Sequence, residues 1–72
     1  MNLEGAIRAE LGWRDWTISD LANKTGIGQP TLSKRLNGDS KFLWNDIKAI
    51  ADAFGMPAWE LARKADREVG AA

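Results

Sequence analysis

The sequence predicts an all-α protein, folded as a compact bundle of five short helices. Apolar residues recur three and four positions apart and rarely alternate, which is typical of helices with one buried face. The glycines that divide the chain into segments are Gly12, Gly26, Gly28, Gly38, Gly55 and Gly70. A chain of 72 residues has room for one domain. We expect that domain over residues 1–66 and a frayed tail over residues 67–72.

The composition excludes several classes of function. Cysteine and histidine are both absent, which rules out disulfides, zinc sites and most catalytic triads. A chain this short has little core to spare for a pocket, so we expect no enzyme activity, cofactor or metal. No apolar run approaches the roughly 20 residues of a membrane span. The N-terminal sequence lacks the pattern of a signal peptide, and we therefore expect a cytoplasmic protein with no membrane partner.

The first helix is predicted from four apolar residues that share one face. They are Leu3, Ala6, Ile7 and Leu11. Asn2 is a suitable N-cap residue because its side chain accepts hydrogen bonds from free helical N–H groups. Gly12 is expected in the left-handed position that follows the last turn.

The second helix has a start signal and a stop signal. Thr17 is the expected N-cap, and Asp20 completes a capping box three residues later. Trp16 and Leu21 have the spacing of a hydrophobic staple across that cap. Gly26 is expected to end the helix.

The third helix begins almost immediately. Gly28 is its expected N-cap, and Pro30 is tolerated in the first turn, where N–H groups have no helical partner. Leu32 and Leu36 are expected to face inward, and the pair 37–38 is expected to end the helix.

Two further helices complete the predicted bundle. In the fourth, Leu43 or Trp44 is expected to face inward together with Ile47, Ile50, Ala51 and Phe54. Gly55 ends it, and Pro57 opens the fifth helix. The inward residues of the fifth helix are Leu61, Ala62 and Ala65.

Four tryptophans are expected mainly to supply buried area. They are Trp13, Trp16, Trp44 and Trp59. Each indole can bury about 150–250 Å², which matters in a domain without disulfides. In the alternative interpretation, one or two of them form a surface for a partner.

The stretch 17–38 carries the functional signal. Its two short helices are joined by residues 25–28, where Gly26 permits a sharp turn and Ile27 fills the space between the helices. The outward residues of the second of these helices are Gln29, Pro30, Ser33, Lys34 and Asn37. Glutamine can bond adenine and lysine can bond guanine or phosphate, so this acid-free face suits a DNA groove. The alternative is an ordinary solvated helix face.

Charge is distributed unevenly although the chain is neutral overall. Residues 24–41 contain four basic residues and one acidic residue, a balance of plus three, so the rest carries minus three. This local charge gives a modest electrostatic footprint for a polyanion.

The run 16–38 resembles the helix-turn-helix of lambda-repressor-like proteins of the Cro/C1 type, also called XRE-like. The matching motifs are Leu21-Ala22, Gly26-Ile27, Gln29 and Asn37-Gly38. The run 50–57 is similar to that family's fourth helix and the turn after it, and the resemblance covers about residues 3–65.

The resemblance implies sequence-specific binding of double-stranded DNA by a small transcription regulator, a phage or prophage repressor or a Cro-like protein. The third helix would be the recognition helix in the major groove. The residues implied to read bases are Gln29, Pro30, Ser33 and Lys34. Those implied to bind phosphates are Thr17, Thr31, Asn37, Ser40 and Lys41. A homodimer would meet two palindromic half-sites, with Trp59 as a dimer contact. Alternatively, Trp59 folds back on Trp13 or Trp16.

Three features depart from the family pattern. Ile18 replaces a glutamine that braces the recognition helix, and residues 42–44 replace polar capping residues. Arg35 stands where many members have an apolar residue, so either its stem covers core surface or its charge joins a surface ion pair. The alternative function on the same scaffold is a protein-interaction module, such as an antitoxin-like or anti-repressor partner.

Overall fold

The structure, a computed structural model, describes residues 2–70, with side chains described to residue 66. Its described part is all-α, as predicted. The helices are α1 (Leu3–Arg14), α2 (Ile18–Thr25), α3 (Gln29–Leu36), α4 (Trp44–Ala53) and α5 (Ala58–Gly70). The predicted domain boundary at residue 66 and the tail of 67–72 stay predictions, because residues 71–72 and the side chains of 67–70 lie outside the described part. None of the helices in that part is both long and apolar enough to cross a bilayer.

A single apolar core lies between the helices and receives side chains from all five. Its buried members are Ala6, Ile7, Leu11, Leu21, Ala22, Leu32, Leu36, Ile50, Ala51, Phe54, Leu61 and Ala65. These positions confirm most of the predicted inward residues; Ala62 of α5 is only half-buried, and α4 departs from the prediction at its start. The backbone N–H of Asn2 donates to the Ala65 carbonyl at 3.0 Å, which joins the start of α1 to α5. The Asn2 side chain caps α1, as predicted, by accepting from the Gly5 N–H.

Helix α1 is longer than predicted. Gly12 lies inside the helix, and Asp15 takes the left-handed conformation expected of Gly12, with φ of 59°. Aspartate tolerates this region better than most residues, and the Trp16 N–H then bonds the Leu11 carbonyl at 2.9 Å. Glycine weakens a helix without stopping it, so the stop comes where the chain turns toward α2.

The prediction that Leu43 or Trp44 faces the core is wrong. Leu43 is the N-cap of α4 and Trp44 its first residue, and both side chains are exposed. The helix meets the core only one turn later, at Ile47 and Ile50. The stripe of inward residues is therefore shorter than the apolar run in the sequence.

The expectation that the tryptophans supply the core is wrong for three of the four. Trp13 is 86% exposed, Trp44 61% and Trp59 62%, because smaller aliphatic side chains already fill the interior. Trp16 is half-buried and stacks on Phe54 with ring centroids 5.6 Å apart. The Lys24 ammonium lies 4.7 Å from the centre of the Trp16 ring. Lys24 thus serves partly as a packing partner for an aromatic ring.

Candidate nucleic-acid interface

The turn between α2 and α3 is held by a small set of hydrogen bonds. Gly26 adopts φ of 79°, as its position after the helix requires. The Thr25 hydroxyl donates to the Leu21 carbonyl at 2.8 Å and accepts from the Ile27 N–H at 3.2 Å. Ile27 is half-buried against the core. The turn therefore fixes how α3 leaves α2.

The N-terminus of α3 is left uncapped. Gly28 is the N-cap and offers no side-chain acceptor, and Pro30 has no N–H to satisfy. The first helical hydrogen bond runs from the Leu32 N–H to the Gly28 carbonyl at 2.9 Å. The backbone N–H groups of Gln29 and Thr31 therefore have no helical acceptor. No acidic residue stands in this first turn.

The outward face of α3 carries the side chains predicted to read bases. Gln29, Pro30 and Lys34 are exposed, whereas Ser33 is half-buried. Thr31, predicted to bind phosphate, is exposed on the same short helix. Helix α3 contains no carboxylate, so nothing on it repels a polyanion.

The segment after α3 exposes the other predicted phosphate ligands. Asn37, Ser40 and Lys41 are all exposed, and Ser40 and Lys41 lie in the loop before α4. Arg8 of α1 donates to Asn37 Oδ1 at 3.0 Å and to the Leu36 carbonyl at 3.4 Å. The carboxamide of Asn37 is thereby oriented, and its NH₂ group is the end left to donate.

Sequence reasoning missed Arg8. The residue lies 29 positions before Asn37, and no local pattern marks it. Its charge now stands beside the C-terminal end of α3.

Thr17 begins α2 in the predicted capping box. Its hydroxyl accepts from the Asp20 N–H at 3.1 Å, and the Asp20 carboxylate accepts from the Thr17 N–H at 2.8 Å. The bond from the Thr17 backbone N–H, followed by the bonded Thr17 side chain, lowers the pKa of Asp20 below its ordinary 3.8. An ionised carboxylate therefore lies beside Thr17, and Thr17 keeps only its hydroxyl proton for an external acceptor.

Arg35 does not belong to the outward face of α3. Its Nη1 donates to Asp46 Oδ2 of α4 at 2.5 Å, and only 17% and 12% of the two side chains are exposed. The alternative of an ion pair is therefore the one observed, although the pair is largely buried. The positive charge of Arg35 is therefore neutralised by Asp46, which lies outside residues 24–41. Arg8 of α1 brings another positive charge to the end of α3.

Trp59 lies at the start of α5 beside a shallow depression of about 270 Å³. The residues that line it are Trp59, Glu60, Arg63 and Lys64. The alternative in which Trp59 is buried by folding back on Trp13 or Trp16 does not fit the 62% exposure of its side chain.

The geometry is that of a helix-turn-helix whose second helix presents an acid-free polar face. A family profile described as helix-turn-helix matches residues 7–61 of the chain. The chain belongs to the lambda-repressor-like helix-turn-helix family. Members of this Cro/C1-type family are transcription regulators that bind DNA. The chain is therefore a DNA-binding protein of this kind, and its partner is double-stranded DNA. Comparison with curated proteins and with solved structures found no match.

Proposed function

We propose that this helix-turn-helix protein is a sequence-specific regulator of the phage or prophage repressor or Cro-like type, with α3 in the major groove. One observation carries the proposal: the outward face of α3 is exposed and free of carboxylates, while its apolar face is sealed in the core by Leu32 and Leu36. A polar face of this kind matches the donor and acceptor pattern of base edges.

Four residues of α3 are proposed to read bases. Gln29, at the N-terminal end, suits the N6 and N7 atoms of adenine, and Lys34 suits the O6 and N7 atoms of guanine. Pro30 has no donor, so its contact is apolar, for example with a thymine methyl group. Ser33 is half-buried and reaches only a base edge that comes close to the helix.

Five residues are proposed to hold phosphates on either side of the groove. They are Thr17, Thr31, Asn37, Ser40 and Lys41. Lys41 brings a full charge, and the amide of Asn37 is held in place by Arg8. Thr17 is the weakest of the set, because the ionised Asp20 carboxylate lies next to it.

We further propose that two copies bind adjacent half-sites and meet through Trp59. A large exposed indole beside a shallow depression is suited to contact with a second copy. Half-sites would lie about 34–36 Å apart, one turn of the duplex. The site of action would be the cytoplasm of a bacterium or of a phage-infected host.

Selection of bound sites from random duplexes at two salt concentrations tests the function directly. We expect one enriched sequence and an affinity that falls steeply with salt. Replacing Gln29 with Ala should cost about 1–3 kcal/mol at a single base pair and relax the preference there. Replacing Lys41 with Met should weaken binding to all sequences alike. An unchanged preferred sequence for Gln29→Ala would refute the reading role of Gln29.

Sedimentation tests the dimer. Trp59→Ala should remain monomeric under conditions in which the wild type pairs on DNA, whereas identical sedimentation of both would exclude Trp59 from the contact.

A second candidate function is a protein-interaction module, antitoxin-like or an anti-repressor partner. The exposure of Trp13, Trp44 and Trp59 on a chain of zero net charge favours it. A protein ligand that protects residues 29–37, together with no DNA affinity at low salt, would select this function over DNA reading.

A further inference from the structure

Arg35 lies in α3, the helix proposed to read bases, but its side chain contacts α4. It lies one helical turn after Leu32, which is buried, and its side chain runs to Asp46 rather than to solvent. Its guanidinium is therefore turned away from the face that carries Gln29 and Lys34.

Asp46 joins three parts of the molecule at one carboxylate. It accepts from Arg35 of α3 and, at 2.9 Å, from the backbone N–H of Leu43, where the loop after α3 ends and α4 begins. Helix α3 packs mainly on α2 and α1, and α4 mainly on α2 and α5. The Arg35–Asp46 pair is thus a direct tie between α3 and α4, and it also holds the end of the loop that carries Ser40 and Lys41.

The Arg35–Asp46 pair is expected to add little to the stability of the fold. The Nε atom of Arg35 is buried without a hydrogen-bond partner, which costs free energy. A largely buried ion pair often contributes no more to stability than apolar residues of the same volume. The pair is therefore better suited to fixing the position of α3 against α4 than to adding stability.

We infer that Asp46 is a positioning residue that determines specificity by withholding the charge of Arg35 from DNA and fixing α3 relative to the loop 39–43. The inference rests on the proposed function. A free guanidinium near the end of α3 would bind any phosphate in reach, since phosphate contacts carry no sequence information. Neutralising it leaves Lys34 as the cation on the outward face of α3, so binding depends more on base contacts.

The test uses the full chain, the duplex selected by the wild type and a scrambled duplex, with affinity measured at several salt concentrations. Asp46→Asn keeps an acceptor for the Leu43 N–H but removes the charge. We expect tighter binding to the scrambled duplex and a specificity ratio about tenfold lower. The slope of log K against log salt should steepen by about 0.9, the value of one added phosphate contact.

Three further variants separate positioning from folding. Asp46→Glu keeps the carboxylate and should retain most of the wild-type ratio. Arg35→Met keeps the unbranched stem and should weaken binding to the selected duplex while leaving the salt slope unchanged. Ile7→Val removes a buried methyl group from α1, leaves both members of the pair intact and should leave the ratio unchanged, with thermal unfolding recorded for every variant.

Two results would overturn the inference. One is a folded Asp46→Asn variant whose specificity ratio and salt slope equal those of the wild type. The other is a shallower slope for Arg35→Met, which would mean that Arg35 touches DNA directly. Failure of the proposed function is distinct from both, because it would appear first as a wild type with no preferred sequence.

Discussion

Helices α2 and α3 are both eight residues long and lie next to each other, yet they begin in opposite ways. At the start of α2, the side chains of Thr17 and Asp20 each accept from the other residue's backbone N–H in a capping box. Helix α3 begins at Gly28 with no side-chain cap and no acid. Each helix buries two apolar residues, Leu21 and Ala22 in α2 and Leu32 and Leu36 in α3. The difference between their N-termini is therefore not explained by core packing. A capped terminus serves folding, whereas an uncapped terminus with a positive dipole stays open to an anion.

The largest effect is expected when α3 is given the kind of start that α2 has. Gly28 has φ of −59°, which any residue adopts, and a methyl group there would approach only Thr31 Oγ1, at 4.0 Å. Gly28→Asp should therefore fold, with unfolding free energy raised by a few tenths of a kcal/mol. Its carboxylate would add a negative charge at the start of α3, beside the residues proposed to contact DNA, and we expect DNA affinity in a titration to fall about tenfold or more.

The matched control is Gly28→Ser, which supplies a cap of similar size without the charge. It should lose much less affinity than Gly28→Asp. Equal losses for the two variants would show that space, and not charge, matters at the start of α3.

The next largest effect concerns the turn that separates the two helices. Gly26→Ala places a side chain at φ of 79° and should lower the free energy of unfolding by about 1–2 kcal/mol. Gly12→Ala is the matched control, because a methyl at Gly12 would meet no atom within 4 Å inside a regular helix. It should raise the free energy of unfolding by about 0.5–1 kcal/mol in urea titration. Changes of the same sign would contradict the conformational assignment.

A smaller effect is expected at the capped end of α2. Thr17→Ala removes the hydroxyl that accepts from the Asp20 N–H and should destabilise the protein by about 1 kcal/mol. Thr17→Ser keeps the acceptor and should restore most of that loss in the same unfolding measurement. If Ala and Ser behave alike, the hydroxyl does not stabilise the helix.

The smallest effect should appear at acid pH. The folded pKa of Asp20 lies below its ordinary 3.8, so its contribution to stability is present above that value and is lost as pH falls through the lowered pKa. Asp20→Asn lacks this titration. The stability difference between wild type and Asp20→Asn should stay constant near neutral pH and shrink below 3.8. A difference that is independent of pH across this range would remove Asp20 from the capping role.

The sequence predicted what depends on neighbours along the chain. The Thr17–Asp20 box, the glycine stop at Gly26 and the burial of Leu32 and Leu36 all follow from spacings of three to nine residues, and all are present. What it missed depends on distant neighbours. Arg8 reaches Asn37 across 29 residues, and Arg35 reaches Asp46 across 11, because the packing of other helices brings them together.

Two errors have a different origin. Gly12 was expected to end α1, but the helix continues past it to Arg14. One glycine lowers helix stability by only about 1 kcal/mol, which is too little to end a helix. The tryptophans were expected inside because they are large and apolar. The bundle, about 23 Å in its shortest dimension, instead packs aliphatic residues and Phe54 in its core. Neither error changed the placement of the site residues on α3.

The unequal environments of the indoles have a spectroscopic consequence. Trp13, Trp44 and Trp59 already stand in water, so their emission changes little when the chain unfolds. Trp16 alone is stacked on Phe54 and lies close to the charged ends of Arg14 and Lys24. A change in tryptophan fluorescence on unfolding therefore reports on the place where α1, α2 and the end of α4 meet. Quenching by added duplex DNA would instead come from an exposed indole that the DNA covers.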